Sequence, residues 1–278
     1  MDSHRGWFGP SSTIWRRQKM KVSELVEIVD GIAPFALAMD FDNPGLILGD
    51  REGEVTSVLV ALDATLSVVE EARRLGAEVI VSHHPLLFSP TKHILEQEGD
   101  GAILRRLIEG GISLIAAHTN FDVAPRGLCW ELACRMGLRD PQVLMEDGYG
   151  LVGDIPPMTL SALAQHTKER LDATCVKYAG EPEGIIRRLA VACGSGRTAF
   201  PSALAAGAQA VITGEASYDS ALTFGRMGLS ILEAGHFDTE KWFMDSMASR
   251  LQNELGRLQY NVRIHISKVS KDVYSGAV

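Results

Sequence analysis

Along the chain, short runs of consecutive apolar residues alternate with longer stretches whose apolar positions recur every three or four residues. Val55–Leu62, Glu78–Ser82, Ser113–Ala117, Leu189–Cys193, Ala210–Thr213, Ser230–Ala234 and Val262–Ser267 are short and rich in apolar residues. Runs of this kind predict buried strands. Between them, Val22–Ile32, Ser67–Leu75, Ala102–Glu109, Leu128–Met136, Ala199–Ala206, Ser220–Arg226 and Lys241–Leu255 read as helices. Strands alternating with helices predict an α/β protein, its sheets mainly parallel and covered by helices on both faces.

The pattern repeats within the chain. GAEVIVSHH (Gly76–His84) parallels GAQAVITGE (Gly207–Glu215), and GISLIAAHTNFD (Gly111–Asp122) parallels GLSILEAGHFD (Gly228–Asp238) with one residue of slippage. The expectation is two related α/β/α halves, over residues 21–140 and 187–278, with a site between them. The stretch Arg139–Arg187 breaks the pattern with Pro141, Pro156, Pro157 and Pro182, and residues 141–186 read as a bridge. Residues 1–20 lack the apolar segment of a signal peptide and read as a disordered tail ahead of a folded chain that begins near Lys21.

Composition narrows the partners. Of 278 residues, 46% are hydrophobic and 22% charged, ordinary globular usage that supports a sizeable core. A formal net charge of -8 disfavours nucleic acid and anionic membranes as default partners. No apolar run reaches the ~20 residues of a membrane-spanning helix. The cysteines Cys129, Cys134, Cys175 and Cys193 form no CxxC pair and read as reduced thiols, which places the protein in the cytoplasm.

In open parallel sheets, ligands bind beyond the carboxyl ends of the strands. His83 and His84 follow one predicted strand, His118 and Asp122 a second, Glu215 a third, and His236 and Glu240 a fourth. Adjacent histidines in an extended segment diverge, so His83 and His84 suit two separate ions better than one. A turn aspartate such as Asp122 is commonly a cap, but a carboxylate has two oxygens and is a natural bridge between cations. His236 and Glu240, four residues apart, share a helix face. Three imidazoles and two carboxylates suit Zn, Mn, Fe, Co or Ni better than Ca or Mg. Five donors exceed what one tetrahedral ion with an open position takes, so two ions sharing a carboxylate fit better. The loop CGSGR (Cys193–Arg197) can present backbone N–H groups to an anion through Ser195 and Gly196, and reads equally as a tight turn. No GxGxxG follows the first strand, so a plain dinucleotide-binding domain fits less well.

DNPGLILG (Asp42–Gly49), VSHHPLLF (Val81–Phe88), HTNFDVAPRG (His118–Gly127), ITGEASYDSAL (Ile212–Leu222) and EAGHFDTE (Glu233–Glu240) together resemble the Nif-three-like family, often described as GTP cyclohydrolase I type 2 homologues. The resemblance implies a duplicated α/β fold, a dinuclear metal centre with ligands His83, His84, Asp122, His236 and Glu240, and a homohexameric ring. Family members commonly carry a histidine where this chain has Asp219, a position tied to substrate. The implied activity is metal-dependent hydrolysis of a nucleotide or related phosphorylated small molecule. In it, His118 or Glu215 serves as general acid or base, or instead orients a ligand. The alternative is a metal-binding regulatory or scaffold protein without turnover.

Overall fold

A computed structural model of the chain describes residues 19–97, 99–274 and 276. The expected tail falls outside the described residues up to position 18, whereas Met20 is buried and pairs with Val55. In chain order the first part forms β1 (Met20–Lys21), α1 (Val22–Ile32), β2 (Gly45–Leu48), β3 (Glu54–Val55), β4 (Ser57–Ala61), α2 (Leu66–Leu75), β5 (Val79–Ser82), α3 (Gly99–Gly110), β6 (Ser113–Ala116), α4 (Thr119–Val123) and α5 (Leu128–Arg135). There follow β7 (Arg139–Val143), β8 (Leu151–Thr159), α6 (Leu160–Leu171), β9 (Lys177–Ala179) and β10 (Ile185–Ala192). The remainder is α7 (Phe200–Ala205), β11 (Ala210–Thr213), α8 (Tyr218–Arg226), β12 (Ser230–Glu233), α9 (His236–Glu240), α10 (Trp242–Arg257) and β13 (Arg263–Ile266).

A five-stranded sheet runs β13-β4-β5-β6-β2 and a six-stranded sheet runs β7-β8-β10-β11-β12-β9. The duplication expected from sequence is visible in the pairing. In one sheet β4, β5 and β6 are parallel and β2 lies antiparallel against β6. In the other β10, β11 and β12 are parallel and β9 lies antiparallel against β12. The halves differ at the opposite edge, where β13 adds parallel to β4 but β8 adds antiparallel to β10. The first sheet is therefore mainly parallel and the second is mixed.

Two segments behave differently from the sequence reading. Residues 141–186 were expected to bridge the halves, yet they supply β8, α6 and β9 to the second sheet and its cover. The prolines that obscured this sit where a ladder tolerates them. Pro141 lies in the edge strand β7, and Pro156 and Pro157 fall where the β8–β10 register shifts between Ile186 and Arg188. The last described strand, β13, joins the first sheet rather than the second, with Arg263 opposite Ser57 and Ile266 opposite Val60.

One continuous apolar core joins the two sheets. It holds Val58, Val60, Val79 and Val81 of the first sheet, Val191, Ile212 and Leu232 of the second, and Phe243, Met247 and Leu251 of α10. The carboxyl ends of β5, β6 and β12 meet over this core, which places the residues that follow them beside one another.

Candidate metal centre

Each candidate ligand is set by the element before it. His83 and His84 leave the end of β5, and both of their backbone N–H groups donate to Leu62 O, at 3.1 and 3.0 Å. His118 stands at the N-cap of α4, where its own N–H donates to Asn120 Oδ1 at 2.8 Å. The Asn120 amide in turn donates to Ala33 O at 2.7 Å. Asp122 is buried one helical turn on. His236 and Glu240 open and close the short helix α9, so the four-residue spacing does put them on one face, with His236 Nε2 3.0 Å from Glu240 Oε2. Asp238 binds Lys241 at 2.8 Å and does not cap this helix.

The four histidines share one arrangement. Their Nδ1 atoms are taken by protein oxygens: His83 by Ala117 O at 2.8 Å, and His84, His118 and His236 by Asp63, Asp42 and Glu215, each at 2.7 Å. Carbonyls and carboxylates only accept, so in each case Nδ1–H donates and Nε2 is left for the site interior. His83 Nε2 is fully buried and has no hydrogen-bond partner, 3.6 Å from Asp122 Oδ1 and 3.8 Å from Glu240 Oε2. A bare nitrogen lone pair facing two buried carboxyl groups is the signature of a place for a cation.

The donor atoms fall into compact sets. His84, His236 and Glu240 form one set, His83, Asp122 and Glu240 another, and His83, His84 and His118 a third, each with its donor atoms within 4.8 Å of one another. These residues thus fit a metal, and Glu240 belongs to two sets. His83 and His84 were expected to diverge, but both Nε2 atoms turn towards Glu240.

Without a cation, protons compensate the charge. Burial lowers His83 to about 4, so its ring is neutral. Burial would also lower His84, but hydrogen bonding with Asp63 and Glu240 outweighs it and holds His84 up at about 10. His236 is likewise held at about 9, mainly by Glu240 and then Glu215, against burial. Burial would raise Glu240, yet its histidine neighbours, His236 first, keep it well below the usual carboxylate range. Burial and then the Glu240 charge push Asp122 well above that range.

Two glycines make room for this packing. A Cβ on Gly194, which has φ of +59°, would run into Glu240 Oε1 and crowd His236 Nε2, and a Cβ on Gly214 would meet the His236 Cα. A cavity of about 650 Å³ opens beside His84 and His236, with Asp63, Glu215, Lys177 and Lys271 in its walls.

The residues expected to ligate, His83, His84, Asp122, His236 and Glu240, are thus together, with His118 beside them. Glu215, expected as acid or base, holds the far side of the His236 ring. The three residues expected at substrate do not line the cavity beside His84 and His236. Ser195 is exposed, Gly196 is buried in a left-handed turn against Thr213, and Asp219 is exposed in the first turn of α8. The CGSGR loop accordingly acts as a tight turn whose contact with the centre comes through Gly194. Asp42 and Asp63 were missed from sequence. Asp63 lies two residues after the strand β4, so the strand-end rule that found the histidines would have found it too.

The model of the Duf34/NIF3 (NGG1p interacting factor 3) family matches residues 20–273. A Clostridium perfringens relative named GTP cyclohydrolase 1 type 2 homolog is 34% identical over 262 residues, covering 92% of this chain and 99% of its own length. A Streptomyces coelicolor relative of the same name is 32% identical over 270 residues, 93% of this chain and 95% of its own. Among solved structures, a Bacillus cereus protein related to NIF3 matches with a TM-score of 0.88 at 25% identity, over 94% of this chain and 100% of its own. A Staphylococcus aureus hypothetical protein matches with the same score at 29% identity and the same coverage. A family match over almost all the described residues, on a fold that carries the duplicated pairing and the histidine–carboxylate cluster, leads to one conclusion: the chain belongs to the DUF34/NIF3 family.

Proposed function

We propose that the chain is a dinuclear metal-dependent hydrolase acting on a nucleotide or a related phosphorylated small molecule. The observation that carries this reading is Glu240, whose carboxylate is common to two sets of donor atoms, one of which contains the unpartnered His83 Nε2. In this reading His84, His236 and Glu240 hold one divalent transition-metal ion, and His83, Asp122 and Glu240 hold the other. The donors suit Zn, Mn, Fe, Co or Ni. Bound ions of this kind supply Lewis acidity, polarising an electrophile and making water acidic enough to attack near neutral pH.

The chain's own residues provide the rest. Asp42 fixes His118 through Nδ1, leaving its Nε2 to hold or move a proton beside the ligands. Glu215 and Asp63 orient His236 and His84 and raise their basicity. The cavity beside His84 and His236 is within the roughly 300–1,000 Å³ typical of small-molecule sites. The relatives' name makes GTP the first substrate to try. A cytoplasmic homohexamer belongs to the same reading, with no role for nucleic acid. No helix among the described residues is long and apolar enough to cross a membrane.

Elemental analysis of the purified chain beside Asp122→Ala tests the centre. About two transition-metal ions per chain, reduced in the variant, are expected. Protein that stays metal-free after incubation with all five metals overturns the reading. Metal-loaded protein that turns over neither GTP nor phosphate esters removes the catalytic half of it. That result favours binding without turnover, the second reading. Native mass spectrometry tests the hexamer.

A further inference from the structure

Behind Asp122 lies a pair of thiols with no part in the function proposed above. Cys129, on α5, and Cys193, just after β10, are 2% and 1% exposed, and their Sγ atoms are 3.5 Å apart. Cys193 Sγ is 3.3 Å from Asp122 Oδ1, the same oxygen that faces His83 Nε2 at 3.6 Å. The backbone around Cys193 is pinned on both sides. The Tyr149 hydroxyl donates to Cys193 O, and Gly194 N–H donates to Thr239 Oγ1 at 3.1 Å.

The chemistry of the groups orders the donors. With a cation bound, Asp122 is ionised and only accepts, so the Cys193 S–H donates to it. That proton is then committed, and the contact between the sulfurs is made by the Cys129 S–H. Cys193 falls in none of the compact donor sets, so it reaches a bound ion only through Asp122.

We infer that Cys193 is a positioning residue: its thiol holds the Asp122 carboxylate in place and thereby sets the affinity of the half-site formed by His83, Asp122 and Glu240. A thiol suits the task because it is a weak donor. It fixes the rotation of the carboxylate while drawing little of the negative charge that a cation needs. The inference rests on the two-metal reading proposed above. Partners of this kind behind a metal ligand typically change affinity by about 10–100-fold.

The test is titration of the metal-free full chain with Co2+, followed by its visible absorption bands, in the wild type and in Cys193→Ala, Cys193→Ser and Cys129→Ala. Two binding steps are expected in the wild type. Cys193→Ala weakens one step by about 10–100-fold and leaves the other unchanged. Cys193→Ser restores it, because a hydroxyl also donates, and Cys129→Ala binds as the wild type does. Thermal unfolding of the metal-free proteins checks that each variant folds. Should Cys193→Ala not fold, Cys193→Val replaces it with the same expected loss. A Cys193→Ala titration matching the wild type overturns the inference. So does Cys193→Ser or Cys129→Ala binding as weakly as Cys193→Ala, since packing would then be the cause. A wild type that takes up no Co2+ removes the metal reading and this one together, whereas a normal wild type beside an unaffected Cys193→Ala removes this one alone.

Discussion

His84 and His236 hold protons that a bound metal ion would have to displace, so on the two-metal reading metal-free stability and metal affinity respond oppositely to pH. Their pKa values, about 10 and about 9, lie above the ordinary histidine value of 6.5. In the metal-free protein their contribution to stability is fully present below pH 6.5 and is lost as pH rises through 9 and 10. Metal binding runs the other way. It requires neutral imidazoles and an ionised Asp122, so affinity increases across the same range and protons are released. Calorimetry at pH 7 in buffers of different ionisation enthalpy is expected to show a release of about two to three protons per chain. An uptake of protons, or none exchanged, would contradict the assigned protonation. Gly194→Ala is a second residue-scale test. The added methyl displaces Glu240, and the left-handed backbone at that position costs a further ~1–2 kcal/mol. The expected result is lower metal content together with a lower unfolding midpoint.

At the scale of elements, the centre depends on how helices and strands begin and end. Helix α2 starts three residues after Asp63, and Thr65 caps it by accepting from Val68 N at 3.3 Å. Thr65→Ala is expected to cost about 1 kcal/mol of stability, read from the denaturant midpoint, without removing a ligand. The same logic explains what could be read from sequence. The strands β4, β5, β6, β10, β11 and β12 are short apolar runs, and the residues after β5, β6 and β12 announced the candidate ligands. The i, i+4 spacing of His236 and Glu240 gave their mutual contact. The antiparallel additions β7 and β8 were hidden, because the prolines that mark loops elsewhere fall here at an edge and at a register shift. Helix α6, capped by Thr159, was lost with them. Ser195, Gly196 and Asp219 were read as substrate positions from loop chemistry and family resemblance, and none of them lines the cavity beside His84 and His236. The Cys193–Asp122 contact joins residues 71 positions apart and leaves no local pattern to find.

For the whole molecule, the return of β13 to the first sheet ties the two halves into one unit. The helix before it, α10, packs on α1, β4 and β13, and its apolar face lies in the core shared by both sheets. Unfolding of the metal-free chain is therefore expected to be a single calorimetric transition. Truncation after Leu258 removes β13 and is expected to abolish that transition rather than to leave an intact second half. Two separate transitions in the full chain would show that the shared core does not couple the sheets. The pairing of β13 with β4 also has a consequence for synthesis. A ribosome delivers β4 some two hundred residues before its outer neighbour, so through most of translation the nascent chain carries a wholly buried-type strand with one ladder edge bare. Such an edge invites pairing with another chain. The newborn protein must shield it, by chaperone or by delay, until residues 263–266 emerge.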